Sequence, residues 1–355
     1  MIEAIGLFAQ SGGGALVRAP LTIPEPASDE VVVAVDACGL CHTDLGFARG
    51  GVAPRHPLPL VLGHEIVGRV VLAGEGARHR PGSRVLVPAV MPCGRCAYCR
   101  AGRGNACPQQ KMPGNDIHGG FATHILVPQA PLVPIADDVP EVEYRAMSVV
   151  ADAVSTAWQA ARRANLGEGD VAVVVGAGGV GGFLVQIAAA LGAHVIACDV
   201  SEARLEKISA FGAREVAVLA GDDVKALKKQ VQAALKQRDA IGLALKIFEC
   251  SGHTGGQNAA WSLMTHGSTT VFVGYTMDKV TVRLSNLMAY DATAHGTWGC
   301  PVEAYADVLE LVRDGRVQLL PFVQEASMAN IDALFDAMEA HTLKARMVLR
   351  PTELR

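Results

Sequence analysis

The 355-residue sequence carries no excess of basic charge: 31 Lys and Arg stand against 35 Asp and Glu, for a net charge of −4. That removes the electrostatic ground for expecting nucleic acid or an anionic membrane surface as a partner. The opening "MIEAIGLFAQ" has neither the basic start nor the apolar core of a signal peptide, which predicts a cytoplasmic setting where thiols stay reduced. No internal repeat and no low-complexity tract is visible. One stretch lacks charge altogether: from Val171 to Cys198 there is no Asp, Glu, Lys or Arg, a length that imitates a membrane span. Six glycines interrupt it and its first part is β-branched, so it reads as a buried strand and helix. No other segment approaches spanning length.

What is present suits a packed globular enzyme, since half of the residues are apolar and a fifth charged. The chain is too long for one small core, and two domains are expected. Its first third is rich in short β-like runs such as "VVVAVDACGL", "IVGRVVLAG" and "FATHILVP", punctuated by Gly and Pro. From Val171 strands alternate with helical stretches, the pattern of a parallel α/β sheet. The predicted plan is α/β: a β-rich domain over 1–150, a doubly wound Rossmann domain with a parallel sheet over 151–297, and a segment 298–355 returning to the first domain. Within that last segment "PVEAYADVLELVRDG" reads as an amphipathic helix ending on Gly315. "LKIFECSG" and the apolar "STTVFVGY" read as further central strands, and the latter is also a candidate for continuing a sheet across a subunit interface.

Four of the nine cysteines fall in "PCGRCAYCRAGRGNACP". Cys93, Cys96, Cys99 and Cys107 are spaced C-x2-C-x2-C-x7-C, which lets the thiolates turn inward around one tetrahedral zinc ion. Four thiolates leave no open position, so this site holds shape and does no chemistry. An iron–sulfur cluster also uses four cysteines but with other spacings.

"VAVVVGAGGVGG" places Gly176, Gly178 and Gly181 as G-x-G-x-x-G between a strand and a helix. Such glycines permit a tight turn and close approach to a pyrophosphate at the helix N-terminus. Asp199 ends the next strand, where a carboxylate accepts the adenosine ribose hydroxyls and repels a 2′-phosphate; NAD is expected in preference to NADP. Gly179, Val180 and Arg204 complete the candidate cofactor contacts in this region.

"CGLCHTD" and "LGHE" offer Cys41 and His64, ligand types that zinc prefers. With the cysteine loop and the Gly-rich turn, these motifs resemble the zinc-dependent medium-chain alcohol dehydrogenases over essentially the whole chain. The resemblance implies a GroES-like catalytic domain, one catalytic and one structural zinc, and NAD-linked exchange between an alcohol and a ketone. It assigns the catalytic zinc to Cys41, His64 and, in "VVADAVSTAWQA", Asp152, where the family more often has cysteine. It gives Thr43 the alcohol's proton, makes Asp44 the partner that orients His64, and sets Glu65 behind the metal. His42 and Arg346 match positions at the cofactor's pyrophosphate, and Val273 and Gly274 positions along its nicotinamide amide. Gly46 stands where some members carry a relay histidine. A homodimer or homotetramer is implied. A narrower resemblance, in "MPGNDIHGGFATH", "SVVADAVSTAWQA" and "TMDKVTVRLSNLMA" among others, is to dehydrogenases of a cyclic allylic alcohol carried on a CoA thioester; Arg49, Arg55, Arg78 and Arg80 are the basic residues available for its phosphates. The rivals are a dehydrogenase of a free secondary or aromatic alcohol, a zinc-dependent nucleic-acid binder and a zinc-free reductase of the same fold.

Overall fold

In the computed structural model the described residues are 1–219 and 224–354. They form two compact units, Met1–Asp152 with Gly299–Ala306 and Leu319–Arg355, and Ala153–Trp298 with Asp307–Gln318. The chain changes unit two residues after the expected boundary of 150. Residues 307–318 depart from the expected plan, because they belong to the second unit and not to the returning segment. The helix Tyr305–Arg313 buries Val308 and Leu311. Just beyond it, Gln318 N–H donates to Gln186 Oε1 while Gln186 Nε2 donates back to the Gln318 carbonyl. That exchange ties the segment to the helix Gly181–Ala190.

The first unit is largely antiparallel. Its seven-stranded sheet runs in the order Val323–Ser327, Arg346–Arg350, Glu30–Gly39, Glu65–Ala73, Arg84–Val87, Val133–Pro134, with His124–Pro128 also paired to Glu30–Gly39. A second sheet joins Val17–Ile23, Ile2–Ala9 and Leu60–Val61. Val31, Val32, Val33, Val35, Ile66 and Val85 are fully buried in one apolar cluster, and that burial, at roughly 25 cal/mol per Å², is what holds the register. A polar staple closes one side of the unit. Arg69 donates to Asp36 and Glu141, Arg84 also reaches Glu141, and both guanidinium groups lie over the Tyr144 ring.

The second unit contains a six-stranded parallel sheet in the order Glu215–Val218, His194–Asp199, Val171–Val175, Leu245–Glu249, Thr269–Phe272, Thr293–Gly296. The uncharged stretch resolves into the strand Val171–Val175, the helix Gly181–Ala190 and the strand His194–Asp199, whose apolar side chains are almost wholly buried. Among the described residues no helix is long and apolar enough to cross a membrane. Thr269–Phe272 lies inside the sheet, paired on both sides. The expectation that this strand continues across an interface is therefore corrected: among the described residues the outer strands of the sheet are Glu215–Val218 and Thr293–Gly296.

Candidate metal centres and nucleotide cradle

Sheet register brings the first cluster together. Gly39 pairs with Glu65 at the end of two antiparallel strands, so Cys41, two residues beyond one strand, meets His64, the residue before the other. Gly39 has to be small here, since a Cβ would come within 2.0 Å of Glu65 Oε2. Cys41 caps the short helix His42–Ala48, and Asp44 Oδ2 accepts the Cys41 N–H at 3.1 Å, half of a capping box. Asp152 arrives from a third segment, after the 3₁₀ turn Met147–Ala151. That turn is anchored by the Ala151 carbonyl, which accepts from Ala89 N–H at 3.1 Å and from Tyr305 O–H at 2.6 Å.

Cys41 Sγ, His64, Glu65 and Asp152 each offer an atom within 4.8 Å of the others. His64 Nε2 lies 3.6 Å from Asp152 Oδ2 and is buried without a hydrogen-bond partner. Its other nitrogen, Nδ1, sits 3.1 Å from Asp44 Oδ1, an oxygen that also accepts Gly63 N–H at 3.0 Å. Both oxygens of this carboxyl already act as acceptors of a backbone N–H, so Nδ1 is the donor to Asp44 and Nε2 faces the cluster. Burial pulls the His64 imidazole towards its neutral form, yet Asp44, Asp152 and Cys41 together hold its pKa well above the ordinary value. The pocket therefore favours a positive charge. A thiolate, an imidazole and a carboxylate around one orphaned lone pair fit zinc with a position left open.

Behind this set lies a clamp that the sequence did not reveal. Arg346 donates to both oxygens of Glu65, through Nε at 3.0 Å and through one terminal nitrogen. The Arg346 side chain is only 8% exposed and Glu65 is fully buried. Burial pushes the Glu65 carboxyl up, and the guanidinium draws it back down. The remaining Nη1 is the atom that a cofactor phosphate would have to use. Thr43 and His42, by contrast, are exposed at the start of their helix, and the Thr43 hydroxyl lies 3.8 Å from Cys41 Sγ.

The second cluster is local. The sulfurs of Cys93, Cys96, Cys99 and Cys107 approach one another at 3.9, 3.5 and 3.6 Å for the pairs 93–99, 96–99 and 96–107. Sulfurs on a tetrahedron at the ~2.3 Å zinc–sulfur distance are about 3.8 Å apart, whereas a disulfide would bring two of them to about 2.05 Å. The set fits a closed zinc tetrathiolate.

In the second unit, Gly176 takes φ +93°, and a Cβ there would lie 2.7 Å from Ser251 N. Gly181 packs against Gly176 O, but Gly178 faces open space. The middle glycine is thus not required by internal packing, as expected of a residue that a ligand approaches closely. Asp199 Oδ2 accepts Ala177 N–H at 2.8 Å and Oδ1 accepts Ser201 N–H at 2.9 Å, joining the acidic strand end to the Gly-rich turn. Arg204 Nη1 stands 3.5 Å from the same carboxylate. Gly179 and Val180 lead into the helix, and Val273 and Gly274 both donate their N–H to the Glu249 carbonyl, at 2.9 and 3.0 Å. The candidate basic residues divide. Arg49 pairs with Asp336 and Arg55 with Asp116, whereas Arg78 and Arg80 follow the far end of the nine-residue strand that Glu65 begins. At about 3.3 Å per residue, that end is roughly 25 Å away.

Comparison with known proteins agrees with this geometry. Residues 27–137 match the family described as alcohol dehydrogenase GroES-like domain, and residues 179–314 the one described as zinc-binding dehydrogenase. The chain is 31% identical to the L-galactonate-5-dehydrogenase of Escherichia coli (strain K12), over 83% of each chain. It is 29% identical to an alcohol dehydrogenase of Geobacillus stearothermophilus, over 93% of this chain and 94% of that one. Among solved structures, acetophenone reductase from Geotrichum candidum in complex with NAD superposes with a TM-score of 0.86 at 25% identity, over 99% of this chain and 98% of that one.

Proposed function

The chain belongs to the zinc-type medium-chain alcohol dehydrogenase family, and on that premise we propose that it oxidises a cyclic allylic secondary alcohol carried on a CoA thioester, with NAD as oxidant. The substrate of this reading is 6-hydroxycyclohex-1-ene-1-carbonyl-CoA, the product its 6-oxo ketone, and the setting anaerobic benzoyl-CoA degradation. The observation that carries the reaction class is the orphaned His64 Nε2 between Cys41 and Asp152. The resemblance of these sequence segments to dehydrogenases of CoA-linked alcohols supports the substrate, with Arg49, which ends the helix His42–Ala48, and Arg55 just after it as candidate basic residues.

Cys41, His64 and Asp152 would hold the catalytic zinc, and Cys93, Cys96, Cys99 and Cys107 the structural one. Bound there, the catalytic zinc supplies Lewis acidity to the alcohol oxygen and NAD supplies the hydride acceptor. Thiolate and carboxylate together neutralise the dication, and a carboxylate donates less electron density than a second thiolate. Asp44 fixes the His64 tautomer and ring. The exposed Thr43 hydroxyl takes the alcohol's proton as it passes its own on; Gly46 offers no side chain to carry it further along that helix. The reacting carbon gives up a hydride and its oxygen a proton, leaving ketone, NADH and H⁺. Asp199, Arg204 and the turn Gly176–Gly181 would hold the adenosine and pyrophosphate end of NAD, and Val273 and Gly274 its nicotinamide end; His42 and Arg346 are the family-matched candidates for its phosphates.

Thr293–Gly296 is an open sheet edge, and Leu284 and Met288 on the turn and helix just before it are exposed. A second copy pairing along that edge makes the homodimer from which a tetramer could be built. The resemblance to acetophenone reductase favours a second reading, a free secondary or aromatic alcohol as substrate. A spectrophotometric screen of NAD reduction decides between them: the CoA-linked alcohol should far outpace free cyclic, benzylic and aliphatic alcohols. Good turnover of a free alcohol with none of the CoA ester overturns the first reading in favour of the second.

A further inference from the structure

We infer that Glu249 is a positioning residue for the nicotinamide end of the dinucleotide, a role that rests on the proposed cofactor site and extends it. Glu249 is the last residue of the strand Leu245–Glu249 and pairs with Val175 on one side and Phe272 on the other. It stands at the carboxyl ends of the central strands, where open α/β sheets bind their ligands. Its carboxyl is fully buried. Burying such a group is costly unless it is satisfied, and this one is satisfied on one side only.

Oε1 accepts Ser251 N–H at 2.8 Å, Gly252 N–H at 3.2 Å and the Ser251 hydroxyl. Oε2 has no hydrogen-bond partner. The main chain of the same residue accepts from Val273 and Gly274. One residue therefore holds two turns, its own and the one after the neighbouring strand. The space around it is filled to the limit. A Cβ on Gly274 would lie 2.8 Å from Oε2 and 2.2 Å from Gly252 N, and one on Gly256 would lie 3.0 Å from Oε1. Both turns thus rest on the carboxyl, and Oε2 acts as a spacer beneath Gly274. Burial pushes the Glu249 carboxyl above its ordinary range against the lowering pull of the Ser251 and Gly252 donors. A neutral group of the same length should do the same work.

The test is calorimetric titration of zinc-replete wild type and variants with NAD and with ADP-ribose, which lacks the nicotinamide. Glu249→Ala and Glu249→Asp, which withdraw the spacer, should weaken NAD by about tenfold or more and ADP-ribose by less than about twofold, while Glu249→Gln stays within about threefold of wild type for NAD. Unchanged NAD binding in the Ala and Asp variants, or equal weakening of both ligands, overturns the role. Loss in the Gln variant as deep as in the Ala variant also overturns it. If wild type itself binds neither ligand, the cofactor site falls and this inference falls with it.

Discussion

The two thiol-bearing clusters of the first unit are built on opposite plans. The four-cysteine lobe draws all its proposed ligands from 15 consecutive residues, three of them only half-buried, and each is a near neighbour of the next. The other set draws Cys41, His64 and Asp152 from segments separated by 22 and 87 positions and buries the first two almost completely. The lobe spends its ligands on closure. The buried set leaves an imidazole nitrogen unpartnered and holds its ring from behind through Asp44. A site that must accept a substrate keeps a vacancy and is held in place by the fold; a site that must only hold a loop can be completed locally.

That contrast can be broken at either end. Replacing Asp152 by Ala has the largest expected effect: zinc content should fall from two per chain to one, and turnover by about 10³-fold or more, since Lewis acidity towards the alcohol is lost. Metal analysis with an NADH-formation assay checks it, and full activity at one zinc per chain refutes the ligand set. Cys99→Ser should also cost one zinc, but its effect is on folding. The melting temperature should drop by about 10 °C, the result of losing a few kcal/mol of metal-linked stability, while activity per catalytic zinc persists. If the melting temperature holds and activity vanishes, the roles of the two clusters have been exchanged.

Asp44→Asn sharpens the comparison by leaving every proposed ligand in place. Loss of the carboxylate behind His64 should cost about 10–100-fold in catalytic zinc affinity or activity, with lobe zinc untouched by competition titration. The mildest change is at the cradle: Asp199→Asn should narrow the preference for NAD over NADP by about tenfold, roughly 1.4 kcal/mol, with both zincs retained. An unaltered cofactor ratio would remove Asp199 from the ribose site.

Local motifs were readable wherever the chemistry is contiguous. The cysteine cluster and the strand–turn–helix around the Gly-rich turn were visible from residue type and interval alone. The helix ending near Gly315 was equally legible, yet not its affiliation, because amphipathicity shows that a face is buried and not against what. The strand Thr269–Phe272 is central, as its apolar run suggests, but the same run does not tell whether it also reaches an interface, because pairing on two sides is a property of the sheet. The Arg346–Glu65 clamp and the buried Glu249 carboxyl left no signal in the sequence, since an Arg near the chain end and a Glu closing a strand look like any solvated charge.

By itself the sequence determined the two domain types, the gathering of the lobe's four cysteines and the Gly-rich turn between strand and helix, because each depends on intervals of a few residues along one backbone. Only the tertiary structure decided that Gly39 clears room for Glu65, that Asp44 turns the His64 lone pair towards Cys41 and Asp152, and that Arg346 points inward. Those outcomes depend on strand register and on burial, which raise the cost of an unpaired charge until it finds its partner, and neither is carried by any one segment of the chain.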